Sequence, residues 1–555
     1  MNGSSHTRGS RVVLIIVGVL VVLCLAALLA GGLGALYLFP LIRSEGAAPT
    51  AVALTQAPLP SPTPLAARDT ATRPPAALPS REPGARATPA ADLEDLSLYR
   101  ANLRPEFAGD VKEAPDATRY FIDVTLDPDD PTALSGVQRV RYTNTENAPL
   151  DALLFRLYPN LPGFGGSMDV DQVVLEGEVV SPVLETDDTA LRVPLDPPLA
   201  RGSVVDLTLW FRAGLPSNTS AGYGVFAFAD DVYALAGFYP TIPVYDDEGW
   251  NVEIAPGYGD ATFTDVAFYQ VRLTVPTDLT VVTSGSVLQD SDNGDGTRTW
   301  TAAGGPIRDF YVAMSADYDM ASEDVDGTRV TSYYRSGQTA GGELALEYAV
   351  DSLRVFNERF GPYPYTELDV IATPTNAGGI EYPGAIVVAQ GLYDQQGGFF
   401  EMATAHEVAH QWWYGLVGND QLDEPWLDEA LTNYSAYVYY QDIDGDTAAQ
   451  RIKESVFERP YQIARQEGWD RPVAGPVASF EAQEYGAIVY GKGPLFFDAV
   501  REELGDEDFF AALQTYLESH RYGVAYPEDL IEAFEETSGR QIDDLYAFWI
   551  LGETQ

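Results

Sequence analysis

The segment EMATAHEVAHQWWYG sets His406, Glu407 and His410 in the spacing His-Glu-x-x-His. On a helix, residues four apart share one face a turn apart, so both imidazoles can reach one ion. Glu407 points about 100° round the helix from His406, where it can act on a water beside that ion without being a ligand. The 555 residues hold only four histidines, His6, His406, His410 and His520. Two of them at this spacing around a glutamate form a specific signal. A plain amphipathic helix is the structural alternative. It would bury two unliganded imidazoles and an acid on one face, each needing a partner.

A catalytic zinc takes three protein ligands and keeps one position open. Downstream, DEPWLDEALTNY has Pro425 suited to the first turn of a helix, with Asp423 or Glu424 near its cap. Glu429 then projects from that first turn. Eighteen residues separate it from His410, enough for one helix-loop-helix return. His406, His410 and Glu429 are therefore the expected ligands of one Zn2+ per chain. That donor set suits zinc, and Glu407 is the expected general base.

The elements that must position these residues follow from texture. YFIDVTLD, GVQRVRYTN, ALLFRLYPN, VVDLTLWFR, FYQVRLTV and TVVTSGSV alternate apolar and polar residues and are parted by turn residues. They predict an antiparallel β-sheet domain over 96–315, with DSDNGDG as a hairpin turn. ELALEYAVDSLRVFNERF predicts a helix ending at Gly361-Pro362, LDVIATP and AIVVAQ predict strands, and helices dominate from Glu401 onward. The fold class expected is α+β multidomain. Its catalytic domain, 316–555, would be an α/β half to about residue 430 followed by a helical half.

Val12 to Ile42 is almost unbroken in apolar and small residues and follows Arg8 and Arg11. About 20 such residues span a bilayer. The basic flank predicts a single-pass anchor over 12–42, with 1–11 cytoplasmic and the remainder extracellular at the cell membrane. A cleaved signal peptide competes, but its apolar region is normally about 7–15 residues. Residues 43–95 are rich in Pro and Ala and predict an extended, disordered stalk. Cys24, the one cysteine, lies inside the apolar run, so no disulfide framework or Cys-ligated metal is available. A net charge of −49 repels phosphate backbones and excludes nucleic acid as a partner.

HEVAH, eighteen residues and then the Glu of WLDEA resemble the gluzincin aminopeptidase family, which includes aminopeptidase N and leukotriene hydrolase. GGIEYPG at 378–384 is similar to the family's Gly-Ala-Met-Glu-Asn substrate-binding strand. The resemblance implies that Glu381 binds a free α-amine and that Gly378 and Gly379 let a substrate backbone approach. VYGKG at 489–493 is similar to the family's Tyr-x-Lys-Gly segment, which implies Tyr490 as the donor to the transition-state oxyanion. Tyr485, five residues earlier, is expected to line the same pocket. LYPN, FYPTIPVYDDEGW and RDFYVAMS resemble the family's N-terminal domain more loosely, and the likeness covers 117–550.

The resemblance also implies a thermolysin-like catalytic domain and peptide substrates. Ile380 and Tyr382 depart from the family's Met and Asn, and Asp428 stands where Asn is usual. No second amine-anchoring acid or amide can be picked out in the β region. The chain stops where the family's roofing C-terminal helical domain would begin, which implies a more open cleft. Three functions stay open: a membrane-anchored zinc aminopeptidase, a zinc endopeptidase with an open cleft, and a non-catalytic surface binding module. Oligomeric state is not legible.

Overall fold

The structure, a computed structural model, describes residues 93–553. The anchor expected over 12–42, and the stalk as far as residue 92, lie outside these residues. Among the described residues no helix is long and apolar enough to cross a membrane. Leu93, near the end of the expected stalk, is already buried, and its carbonyl accepts from Arg119 Nη1 at 2.8 Å.

The β region is three sheets. The largest has eight strands, running across the sheet as Ser286–Asp292, Thr297–Ile307, Ala267–Pro276, Thr118–Leu126, Ala133–Thr143, Val204–Gly214, Ser167–Leu175 and Glu178–Val180. Its alternating segments bury one face, as along Ala267–Pro276, where every second side chain is covered. The expectation of an antiparallel sheet fails at its centre. Thr118–Leu126 and Ala267–Pro276 lie parallel, with Tyr120 opposite Tyr269. Alternation reports which face is buried, not which way a neighbour runs. Parallel partners need a long crossover, and here residues 127–266 supply it by building the other strands on the way.

TVVTSGSV also reads as one segment but divides. Thr280–Thr283 joins a four-stranded sheet, and Ser286 opens the edge strand of the large one. Gly285 between them has φ 77°, a conformation glycine adopts without strain.

Tyr318–Val325 opens a five-stranded sheet, ordered Tyr318–Val325, Thr328–Arg335, Glu367–Thr373, Ala385–Ala389 and Gly379–Ile380. The three inner strands are parallel and the outer two antiparallel. The apolar runs LDVIAT and AIVVA are covered on both faces, which explains their lack of alternation. The helix Thr339–Arg359 makes the crossover between the first two parallel strands. The HEVAH helix, Gly398–Ala409, follows the sheet and is buried on nearly all sides, consistent with its run of apolar residues. The helix Trp426–Asp444 packs against it, and the helices from Ala482 to Trp549 complete the helical half.

Arg308, just past the end of Thr297–Ile307, pins the β region to the segment after the HEVAH helix. It is 1% exposed. Its guanidinium donates to the carbonyls of Tyr414, Thr264 and Gly523. Tyr414 has φ 136°, outside the regions a bulky residue favours. Its hydroxyl donates to Asp309 Oδ2 at 2.5 Å, so one short β-region segment holds both its backbone and its side chain. A Cβ added at Gly418 would collide with the Arg308 guanidinium. Gly418→Ala should therefore destabilise the protein by about 1–3 kcal/mol, the usual range for overpacking. Urea denaturation checks this, and an unchanged midpoint would show that Arg308 can yield.

Candidate active site

His406 lies in the last turn of the HEVAH helix and His410 caps it, its N–H bonded to the His406 carbonyl. Glu429 comes from the first turn of Trp426–Asp444. His406 Nε2 is 3.2 Å from Glu429 Oε2, His410 Nε2 is 3.1 Å from His406 Nε2, and His410 Nε2 is 3.4 Å from Glu429 Oε2. Three atoms on a tetrahedron around zinc, at roughly 2.0–2.2 Å from it, stand about 3.3–3.6 Å apart. The observed triangle is close to that size.

The protonation pattern agrees. His410 Nδ1 lies 2.9 Å from the Trp413 carbonyl and 3.2 Å from Thr432 Oγ1. A carbonyl can only accept, so Nδ1 carries a hydrogen, which leaves Nε2 as the atom that faces His406 and Glu429. Burial pushes the His406 imidazole below its ordinary value. At His410 burial also opposes the charge, but the Glu429 carboxylate outweighs it and raises the ring. Burial likewise opposes the Glu429 charge, and the two rings hold it far below the usual carboxylate range.

Glu407, 5% exposed, lies against the edge strand Gly379–Ile380. Burial pushes its carboxyl well above the ordinary value, the neighbouring His410 opposes this, and the charges of Glu381 and Glu429 add to it. The two glycines also leave room for their neighbours. A Cβ at Gly379 would strike Glu407 itself, and one at Gly378 would press on the Phe399 ring. The bare backbone makes room for Glu407 and Phe399. Glu381 is brought to the same place: a carboxylate oxygen of Glu381, one of Glu407 and a nitrogen of His410 lie within 4.8 Å of one another.

Tyr490 sits on a π-helical turn, Ile488–Lys492, and its ring lies 6.0 Å from that of His406 at 26°. Its hydroxyl donates to Glu429 Oε1. Burial pushes that hydroxyl well above its ordinary value, which keeps it a neutral donor. Tyr485 is buried, its ring 5.7 Å from that of Tyr490, and its Oη has no hydrogen-bond partner.

Several residues of the site escaped sequence reasoning. Asn433, one turn beyond Glu429, donates to the Tyr490 carbonyl at 2.7 Å. Thr432 bears on His410 from the same helix. Their offsets of three and four from Glu429 were the available signal. Asp260, from the loop between the Val232–Leu235 and Ala267–Pro276 strands, is pushed well above its ordinary value by burial and then by the charges of Glu381 and Glu429. Its Oδ2 has no partner. Nothing in its local sequence marks it. Asp428 is pushed up to about 7 by burial and by Glu429 beside it.

Residues 344–549 match the Peptidase family M1 domain. Over these residues the chain is similar to the M1 peptidases. Among curated relatives, aminopeptidase M1-B of Oryza sativa subsp. japonica is 26% identical over 353 residues, 57% of this chain and 38% of the relative. Aminopeptidase M1 of Arabidopsis thaliana is 29% identical over 301 residues, 51% of this chain and 34% of the relative. The match thus spans under two-fifths of these relatives' length. The M1 zinc metallopeptidase of Deinococcus radiodurans has a similar fold, with TM-score 0.61, 20% identity, and coverage of 79% of this chain and 95% of that one. A mutant of that protein bound to a Tyr-Ser-Ala substrate superposes with TM-score 0.62 and 20% identity, with the same coverage.

The similar Deinococcus protein is a zinc metallopeptidase, and the donor set described above fits zinc. One zinc equivalent should bind per chain, and Glu429→Ala should weaken binding by at least ~100-fold, more than loss of an outer partner does. Competition against a fluorescent chelator measures this. Unchanged affinity would remove Glu429 from the ligand set.

Proposed function

We propose that this protein is a zinc aminopeptidase that releases N-terminal residues from peptides. The observation that carries the reading is the meeting of His406, His410 and Glu429 donor atoms within 3.1–3.4 Å, with Glu407 and Glu381 beside them. Zinc held by these three residues supplies Lewis acidity toward a water and the scissile carbonyl. Glu407 takes the proton of the attacking water on its carboxylate, then delivers it to the leaving amine.

Tyr490 donates its hydroxyl hydrogen to the developing oxyanion, exchanging its bond to Glu429 for one that strengthens as charge grows. Glu381 pairs with the substrate's ammonium group, and Asp260 is the second carboxyl on that side. A fixed ammonium site sets which peptide bond reaches the base, and that gives cleavage one residue from the end. The similar Deinococcus structure with a bound Tyr-Ser-Ala substrate supports short peptides as the class.

A mixed-peptide digest with mapped cleavage positions tests this reading. Stepwise loss of N-terminal residues is expected, abolished by chelator and restored by zinc. Glu407→Gln should lower kcat by ~10²–10⁴-fold, and Tyr490→Phe by ~10²–10³-fold. Internal cuts in N-terminally blocked peptides would replace the exopeptidase with the endopeptidase.

The apolar run over 12–42, its basic flank and the Pro-rich 43–92 support a second part of the proposal. The enzyme is carried on the cell membrane with its catalytic region outside. The full-length chain should then sediment with membranes and be released only by detergent. Recovery of the intact chain in the soluble fraction would overturn that part.

A further inference from the structure

Gln421 lies between Pro425 and the HEVAH helix, is 1% exposed, and has no role in the motifs above. Its side-chain amide divides two hydrogens between two carboxylates. Nε2 donates to Glu381 Oε1 at 3.0 Å and to Asp428 Oδ2 at 2.8 Å. Its Oε1 accepts from the Thr262 hydroxyl of the β region at 3.2 Å. These partners fix the amide's orientation by chemistry alone, since carboxylates need donors and Oε1 needs one too. Asn419 Nδ2 donates to the other oxygen of Asp428 at 3.1 Å, and Gln411 Nε2 donates to the Glu381 carbonyl at 3.2 Å.

We propose that Gln421 is a positioning residue for recognition of the substrate's amine. It holds Oε1 of Glu381 so that the second oxygen is aimed at an ammonium group, and it ties that carboxylate to the residue beside Glu429. The inference rests on the aminopeptidase reading. The choice of side chain follows from charge. A lysine or arginine here would neutralise Glu381 and compete with the substrate's ammonium. A glutamate would repel both carboxylates. An amide donates twice, carries no charge, and leaves the negative charge of Glu381 available to the ligand. Thr262 makes the arrangement one-way. Without its hydroxyl the amide could rotate and turn Oε1 toward Glu381, acceptor against acceptor. Through this hydrogen bond the β region bears on the aim of Glu381.

Steady-state kinetics on an aminoacyl arylamide and its N-acetylated counterpart tests the role. Gln421→Met keeps the length and removes both donors. It should raise KM for the free-amine substrate roughly ten- to a hundredfold, the worth of a hydrogen bond to a charged group. The fall in kcat should be much smaller and zinc affinity unchanged. Thr262→Val should shift KM in the same direction by a smaller factor. Because Thr262 is only partly buried, this variant decides the matter if Gln421→Met fails to fold. A loss confined to kcat, or variants that keep the KM and free-amine preference of the parent, would overturn the role of Gln421 alone. A parent enzyme indifferent to acetylation would overturn the aminopeptidase reading and this inference with it.

Discussion

Two imidazole nitrogens face each other at 3.1 Å, a contact that a proton or a metal ion between or beside them stabilises. That constraint organises the centre of this protein. His410 cannot avoid it by turning, because its other nitrogen is committed to the Trp413 carbonyl and Thr432. Glu429 adds a carboxylate to the same point. Glu381, Glu407, Asp428 and Asp260 then accumulate around it. Burial and neighbouring charges raise the carboxyls of Glu407, Asp428 and Asp260, and the whole group is tolerable in a buried place only with cationic partners. The site is built to be incomplete in charge, and both of its proposed partners, a metal ion and an ammonium group, are positive.

The surrounding fold holds this tension by rigid means. One helix, Trp426–Asp444, carries a ligand, a contact to the opposite ligand and the support of Tyr490 at successive offsets from Glu429. The edge strand Gly379–Ile380 lies close enough to the HEVAH helix that only glycine leaves room for the base. Arg308 fixes the backbone of Tyr414 beside Trp413, whose carbonyl orients His410. A strained residue adjacent to a ligand's partner persists because three carbonyls share a single buried guanidinium.

What could be read from the residues, and what could not, divides along chain distance. His406 and His410 are visible because helical periodicity puts a four-residue spacing on one face. Glu429 follows because the return loop is short. Burial patterns locate the strands for the same local reason. Contacts made across long separations leave no such trace. Nothing near Gln421 announces that it bonds to Glu381, nothing near Asp260 says it is buried among acids, and alternation in Thr118–Leu126 cannot tell that its neighbour starts at Ala267. The glycines before Glu381 were legible as a demand for space. Which atom needed the space was not, because Glu407 comes from another element.

The loops that leave the β sheets carry Asp260, Thr262, Arg308 and Asp309 into the peptidase half. The β region and the peptidase half therefore share the labour of one site. A lineage could not trade one half for a homologous module and keep the centre intact, since the incoming piece would have to bring four matching side chains at the same depth. The two halves are bound to be inherited as a pair, and divergence in one should be answered by change in the other.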